Sequence, residues 1–261
     1  MGRALVMGWR GFRAALGSAL LVIFAWMWLA WPHKATKRAA VVRAWRALLW
    51  GFRIDVVVKG KAAALPGTLY VANHVSWTDI VVIGRVLDAP FVAKGDVRGW
   101  PIIGTLTTAY GCVYIDRERR AGAGRQAEDV GAHLARSGEL VLFAEGTTGL
   151  GNEVLPFRTS LFALVPQNEA GEARVQPITL RYTARDGSPL SPADRREVAW
   201  IGDDEMLPHM KALARRGGLR VEVWFEEPVT GSAAGRGRKD LAAASRARIA
   251  ERLASFPENA G

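Results

Sequence analysis

Short apolar runs alternate with amphipathic stretches through most of the chain. Ile54, Val56 and Val58 alternate with polar neighbours, as a half-buried strand does. Thr68-Leu69-Tyr70-Val71-Ala72 is a continuous apolar run of strand length, and Ile80 to Leu87 carries the pattern of a packed helix. Further strands are predicted at Pro90–Lys94, Gly111–Ile115, Leu140–Phe143, Val175–Tyr182 and Leu219–Phe225. Trp100-Pro101 starts a helix with proline in its first turn, Arg119–Ser137 reads as a polar helix closed by Gly138, and Lys239–Phe256 as a terminal helix. Strands alternating with helices predict an α/β sheet with helices on both faces over residues 53–261.

Residues 1–52 follow a different pattern. Ala14 to Trp31 is 18 residues without a charge, about 27 Å as a helix, which just spans a hydrocarbon core. Trp26, Trp28 and Trp31 gather at its far end like an interfacial belt. Thr36 to Phe52 places Val41, Trp45, Leu48, Leu49 and Phe52 on one stripe with Lys37, Arg38, Arg43 and Arg46 around it, the pattern of an interfacial helix or of a core-packing helix with a solvated face. The two segments either cross the membrane or form a hairpin in one leaflet. No small-residue cleavage site follows the apolar segment, which argues against a signal peptide.

Charge sharpens this division. The chain has 35 basic and 25 acidic residues. Nine of the basic ones lie in residues 1–53, which contain no acid, so the remainder is close to neutral. A nucleic-acid binder would spread its positive surface over the folded domain; here the charge flanks an apolar segment and points to anionic lipid headgroups. Five basic residues lie between Lys34 and Arg46 against three before the segment, so the domain is expected on the cytoplasmic face of the cell membrane. The single cysteine, Cys112, excludes an internal disulfide, and the four scattered histidines lack ligand spacing, so no structural metal is expected.

The chemistry gathers at Val71-Ala72-Asn73-His74-Val75-Ser76-Trp77-Thr78-Asp79. His74 falls where a strand ends and a helix begins, the edge at which α/β sheets place ligands. On one continuous helix, positions five apart are turned by about 140° and do not face each other. They meet if His74 precedes the helix and Asp79 lies in its first turn, with Ser76 as N-cap in the spacing of a capping box. Asp79 would then hold one imidazole nitrogen and leave the other as a base. The plainer alternative is a helix cap beside a boundary histidine.

Three more stretches follow in order: Gly111-Cys112-Val113-Tyr114-Ile115-Asp116-Arg117, Phe143-Ala144-Glu145-Gly146-Thr147-Thr148 and Val175-Gln176-Pro177-Ile178-Thr179. With Asn73-His74-x4-Asp79 they resemble the four ordered blocks of the glycerolipid acyltransferase family, typified by 1-acyl-sn-glycerol-3-phosphate acyltransferases, over roughly residues 36–228. The resemblance implies a mixed sheet behind an amino-terminal anchor. It also implies transfer of an acyl group from acyl-CoA or acyl-carrier protein to a lysolipid hydroxyl, with no further cofactor. His74 would be the base and Asp79 its orienting partner, and no acyl-enzyme is needed, which leaves Cys112 as a buried strand residue. Glu145, Gly146 and Thr147 would meet the acceptor with Asn73 and Ser76, Arg117 its phosphate, and Pro177 would shape the acyl pocket.

Two departures bear on the acceptor. Many phosphatidate-forming members carry proline and arginine where this chain has Ala144 and Thr148, and Arg158 is the candidate replacement for that charge. The stretch Ala199-Trp200-Ile201-Gly202-Asp203-Asp204 with Leu207-Pro208-His209 is similar to a bacterial subgroup that acylates lyso-ornithine lipids, whose acceptor lacks the glycerol phosphate. The expected acceptor is 1-acyl-sn-glycerol-3-phosphate, with lyso-ornithine lipid as the alternative. A non-catalytic lipid-binding membrane protein is the reading from another class. A serine hydrolase is disfavoured by the absence of a G-x-S-x-G elbow.

Overall fold

The computed structural model describes all residues except 1, 31–33, 64–66, 101–102, 116–130, 132–133, 135–137, 165–172, 232–236 and 258–261. Arg117 and most of the expected 119–137 helix therefore lie outside the described residues. The main sheet has six strands. β1 (Ile54–Lys59), β7 (Leu219–Phe225), β6 (Ala173–Thr183), β2 (Thr68–Ala72) and β5 (Glu139–Phe143) lie side by side in that order, and β8 (Val229–Gly231) pairs with the start of β6. β2 runs parallel to both β5 and β6, whereas β7 runs antiparallel to β6, so the sheet is mixed.

Alternation along β2 builds two cores. Tyr70 and Ala72 face one, with Phe52 of α2 (Lys34–Phe52), Val82 of α3 (Thr78–Val86), Val198 of α5 (Pro192–Val198) and Leu213 of α6 (Met206–Arg216). Leu69 and Val71 face the other, with Leu134, Phe162 and Leu241, Ile249 and Leu253 of α7 (Arg238–Ala254). Helices thus cover both faces, as the pattern predicted.

The strands expected at 90–94 and 111–115 shorten to β3 (Val92–Lys94) and β4 (Val113–Ile115), which flank α4 (Ile103–Ala109). They pair with each other as a separate small sheet, joined to the main one by a bridge between Phe91 and Val141. Cys112 precedes β4 and is half-buried rather than a buried strand residue; burial pushes its thiol up to about 11.

α1 (Gly2–Ala30) begins well before the uncharged segment. Arginines do not stop the helix because two of them find carbonyls at the ends of other helices: Arg10 donates to Arg215 O (2.8 Å) and Arg13 to Trp50 O (2.8 Å). Cations at helix C-termini are favourable in just this way. α1 lies against α2 by a small-residue seam: a Cβ on Gly17 would stand 2.6 Å from Ala47 O and 2.8 Å from Gly51 Cα. Its opposite side carries Leu5, Trp9, Phe12, Leu16, Ile23, Trp26 and Met27 exposed at helical spacing. The side chains of Trp28 and Trp31 are outside the described set. By length and composition Leu5–Met27 is enough to cross a bilayer.

Candidate active site

Parallel pairing decides where the site forms. β2 and β5 are in register with Ala72 opposite Phe143. Two residues beyond each, His74 and Glu145 leave the same edge of the sheet on adjacent strands, which lie about 5 Å apart. Gly149 N donates to His74 O (2.8 Å) and closes the two loops together.

α3 starts at Thr78, and His74 lies outside it. Asp79, fully buried in the first turn, reaches back under the loop. Its Oδ2 lies 2.7 Å from His74 Nδ1 and accepts from Val75 N (2.6 Å) and Ser76 N (3.0 Å). Ser76 is not the expected N-cap. Trp77 occupies that position without a side-chain cap bond, and the Ser76 hydroxyl is buried with no partner among the described residues. Only the arm from the Ser76 backbone to the Asp79 carboxylate is made, because Asp79 N donates to the Ser76 carbonyl (3.0 Å) rather than to its hydroxyl. An ionised Asp79 can only accept, so Nδ1 carries the ring proton and Nε2 presents its lone pair. The ring is 17% exposed, and Nε2 has no hydrogen-bond partner among the described residues.

Several neighbours of the pair carry no local signal along the chain. The His74 ring stacks on Phe143, 3.9 Å between centroids and 14° between planes. Phe143 is an apolar strand residue in the sequence; only the register puts its face under the imidazole. The Tyr182 hydroxyl on β6 donates to Asp79 Oδ1 and lies 2.7 Å from Thr78 Oγ1. Burial, with the Asp79 charge behind it, holds this phenol well above the usual tyrosine range, so it stays protonated. Trp77 donates its indole N–H to His209 Nδ1 (3.0 Å) and packs edge-on to Phe52. Burial pulls the His209 pKa down, which suits a neutral ring that accepts this bond.

Glu145 is buried at the end of β5, with one carboxyl oxygen lacking a partner among the described residues. Burial raises its pKa to about 8; bonds from the His74 and Leu155 backbone and the charge of Arg246 oppose the rise, and Asp79 adds to it. At neutral pH it is mainly a neutral acid that can donate. Gly146 has φ +74°, and a Cβ there would stand 2.5 Å from Arg158 Nε. The exposed Arg158 side chain therefore lies across Gly146 at the mouth, and its guanidinium has no partner among the described residues. Thr147 is exposed beside it.

Asn73, expected at the acceptor, and Pro177, expected to shape the acyl pocket, both lie in or against β6. The Asn73 amide pairs with β6: Nδ2 donates to Leu180 O (3.0 Å) and Oδ1 accepts from Leu180 N (2.8 Å). It extends the ladder one step and fixes the strand end that delivers His74. Pro177 is buried within β6 opposite Val71, between the segments that pair with β8 and with β7. That break is where a missing N–H is tolerated.

The 199–204 stretch closes over the same loops. Trp200 N donates to Val75 O (3.0 Å), and the Thr148 hydroxyl donates to Trp200 O. Within the stretch Asp204 accepts from Ile201 N (3.0 Å) and two bonds of 2.9 Å from Arg196, which hold its carboxyl down at about 2. The residue that replaces the family's arginine is thus a hydroxyl that docks a neighbouring segment.

Residues 53–181 match the acyltransferase family. A lyso-ornithine lipid O-acyltransferase of Rhizobium meliloti is 42% identical over 186 residues, which are 70% of this chain and 63% of that protein. The chain thus spans less than two thirds of that relative's length. One from Pseudomonas aeruginosa is 37% identical over 221 residues, 84% of this chain and 80% of that protein. The crystal structure of the 1-acyl-sn-glycerophosphate (LPA) acyltransferase of Thermotoga maritima superposes with a TM-score of 0.61 at 20% identity, covering 96% of this chain and 94% of that one. A shared fold over nearly its whole length, joined to that identity over most of a relative's sequence, means that the chain belongs to the acyltransferase family.

Proposed function

We propose that this protein is a membrane-bound lysolipid O-acyltransferase with His74 as general base, and that its preferred acceptor is a lyso-ornithine lipid. The observation that carries the reaction class is the 2.7 Å contact from His74 Nδ1 to a buried, multiply bonded Asp79, which leaves Nε2 free and reachable. The acceptor hydroxyl gives its proton to Nε2 as its oxygen attacks the thioester carbonyl of acyl-CoA or acyl-carrier protein. The tetrahedral adduct collapses, the C–S bond breaks, and the departing thiolate takes the proton back from the imidazolium. Phe143 and Asp79 keep the ring in one plane and one tautomer. Neutral Glu145 has an unused oxygen to bond the acceptor.

The acceptor choice rests on Thr148. Its bond to the Trp200 carbonyl brings the 199–204 segment against the site and leaves no arginine there for a phosphate monoester. Arg158 supplies one fixed charge, enough for a carboxylate-bearing headgroup. The same arginine favours the second reading, 1-acyl-sn-glycerol-3-phosphate, in which it would meet the phosphate. The test assays the purified protein with labelled acyl donors against both lysolipids. Lyso-ornithine lipid is expected to be the better acceptor. Arg158→Ala is expected to raise its Michaelis constant about tenfold, the loss of one charge-assisted bond. Turnover of 1-acyl-sn-glycerol-3-phosphate alone would reverse the choice.

We assign residues 1–52 the role of membrane anchor, with the 53–261 domain on the cytoplasmic face as the basic excess after the apolar segment suggests. The exposed stripe on α1, opposite the seam with α2, supports docking from one side rather than a bare span. Replacing Trp9 and Phe12 together by glutamate is expected to lower partitioning onto anionic vesicles by about tenfold or more. Unchanged flotation of that variant would remove the stripe from the interface.

A further inference from the structure

Asp79 carries four donors on a carboxylate that no solvent reaches. Three come from its own loop and converge on Oδ2. The fourth reaches Oδ1 from β6, 103 positions along the chain. We infer that Tyr182 is a positioning residue for the general base, clamping the Asp79 carboxylate from the side opposite His74, and that Thr78 sets its hydroxyl for that task. The inference rests on the reading of His74 as the base.

The direction of each bond follows from what each group can give. The carboxylate only accepts, so the Tyr182 proton goes to Oδ1. With that proton committed, the bond to Thr78 is filled by the threonine hydroxyl donating to the phenol oxygen. Donation therefore converges on the carboxylate, from Thr78 through Tyr182 onto Oδ1 and from His74 Nδ1 onto Oδ2, with the imidazole proton on Nδ1. A carboxylate held on both oxygens cannot rotate out of the imidazole plane. Held on Oδ2 alone, it would turn about its own axis. The titratable groups that face Asp79 are His74 from its loop, Tyr182 from β6 and Glu145 from the end of β5. Burial pushes the Glu145 carboxyl up to about 8, and His74 is the basic group in direct contact with the clamped carboxylate.

Removing the phenol hydroxyl leaves Asp79 with its three remaining donors and one oxygen less satisfied. Its charge then acts more strongly on the imidazole and favours the protonated, inactive base. The experiment compares wild type, Tyr182→Phe, Thr78→Val and His74→Ala as full-length proteins, with both lyso-ornithine lipid and 1-acyl-sn-glycerol-3-phosphate as acceptors. Tyr182→Phe is expected to lower kcat about five- to fiftyfold with the Michaelis constant within about twofold, because it alters the base and not the acceptor contacts. The acid limb of its kcat/KM profile is expected to move to higher pH by about half a unit or more. The rate at which diethyl pyrocarbonate modifies the His74 ring, followed by peptide mass spectrometry across pH, should move the same way; this readout needs no acceptor. Thr78→Val is expected to reproduce both shifts more weakly, and it stands in should Tyr182→Phe fail to fold. Profiles superimposable on wild type in both readouts overturn the inference. An active His74→Ala protein overturns instead the reading on which it rests.

Discussion

His74→Ala will leave a folded protein whose turnover is lower by about a hundredfold to ten-thousandfold, the range that a positioned general base contributes. A neutral alcohol is a poor nucleophile until its proton has somewhere to go, and Nε2 of His74 is the reachable lone pair beside the Glu145–Gly146 mouth. The ring's other contacts are the Phe143 face and Asp79. Its removal opens a partly exposed space, so the loss is expected in kcat rather than in folding. Circular dichroism and size-exclusion profiles should match wild type while acylation of either lysolipid collapses. A purified His74→Ala protein that retains a third of wild-type turnover would eliminate the proposed base. Cys112 offers no substitute nucleophile, because burial keeps its thiol protonated.

The second large effect is on stability and lies at Glu145. Its folded-state pKa is raised to about 8 from the model-compound value of 4.5, chiefly by burial. Between those values the folded chain keeps a proton that the unfolded chain has released. Stability therefore falls as pH rises through this window and stops falling above about 8. The full difference is on the order of 5 kcal/mol at the alkaline end. Glu145→Gln removes the titration and keeps the shape. The variant and the wild type are expected to melt within a degree or two of each other near pH 5 and to diverge above pH 8, the variant melting higher by roughly 8 °C or more. Thermal melts of both proteins at the two pH values check this, and groups that titrate in both proteins cancel in the comparison. An equal difference at both pH values would mean that Glu145 is not held as a neutral acid. The same experiment bears on mechanism, since a neutral Glu145 donates to an acceptor oxygen where a carboxylate would repel a phosphate.

Much of this was legible along the chain. Alternation in Ile54–Val58 and the apolar run Thr68–Ala72 marked strands because periodicity is a local consequence of which face a side chain occupies. The position of His74 between a strand and a helix, five residues before an aspartate, already required a turn between them if the two were to meet. The uncharged segment and its basic flanks set the amino-terminal helices apart from the domain by composition alone. Tertiary structure decided what depends on residues far apart in sequence. No local rule tells that Ala72 stands opposite Phe143, and only that register puts a phenyl face under the imidazole and Glu145 beside it. Tyr182 looked like one more strand residue until β6 was laid against β2. The family resemblance implies Asn73 as an acceptor contact, and only the laying of β6 against β2 shows that its amide also extends a strand ladder. Ser76 has the spacing of a cap, but the Asp79 N–H that its hydroxyl would accept goes to the Ser76 carbonyl instead, a choice made by the geometry of the histidine loop. Spacing states which groups are able to meet; packing of distant strands selects which of them do.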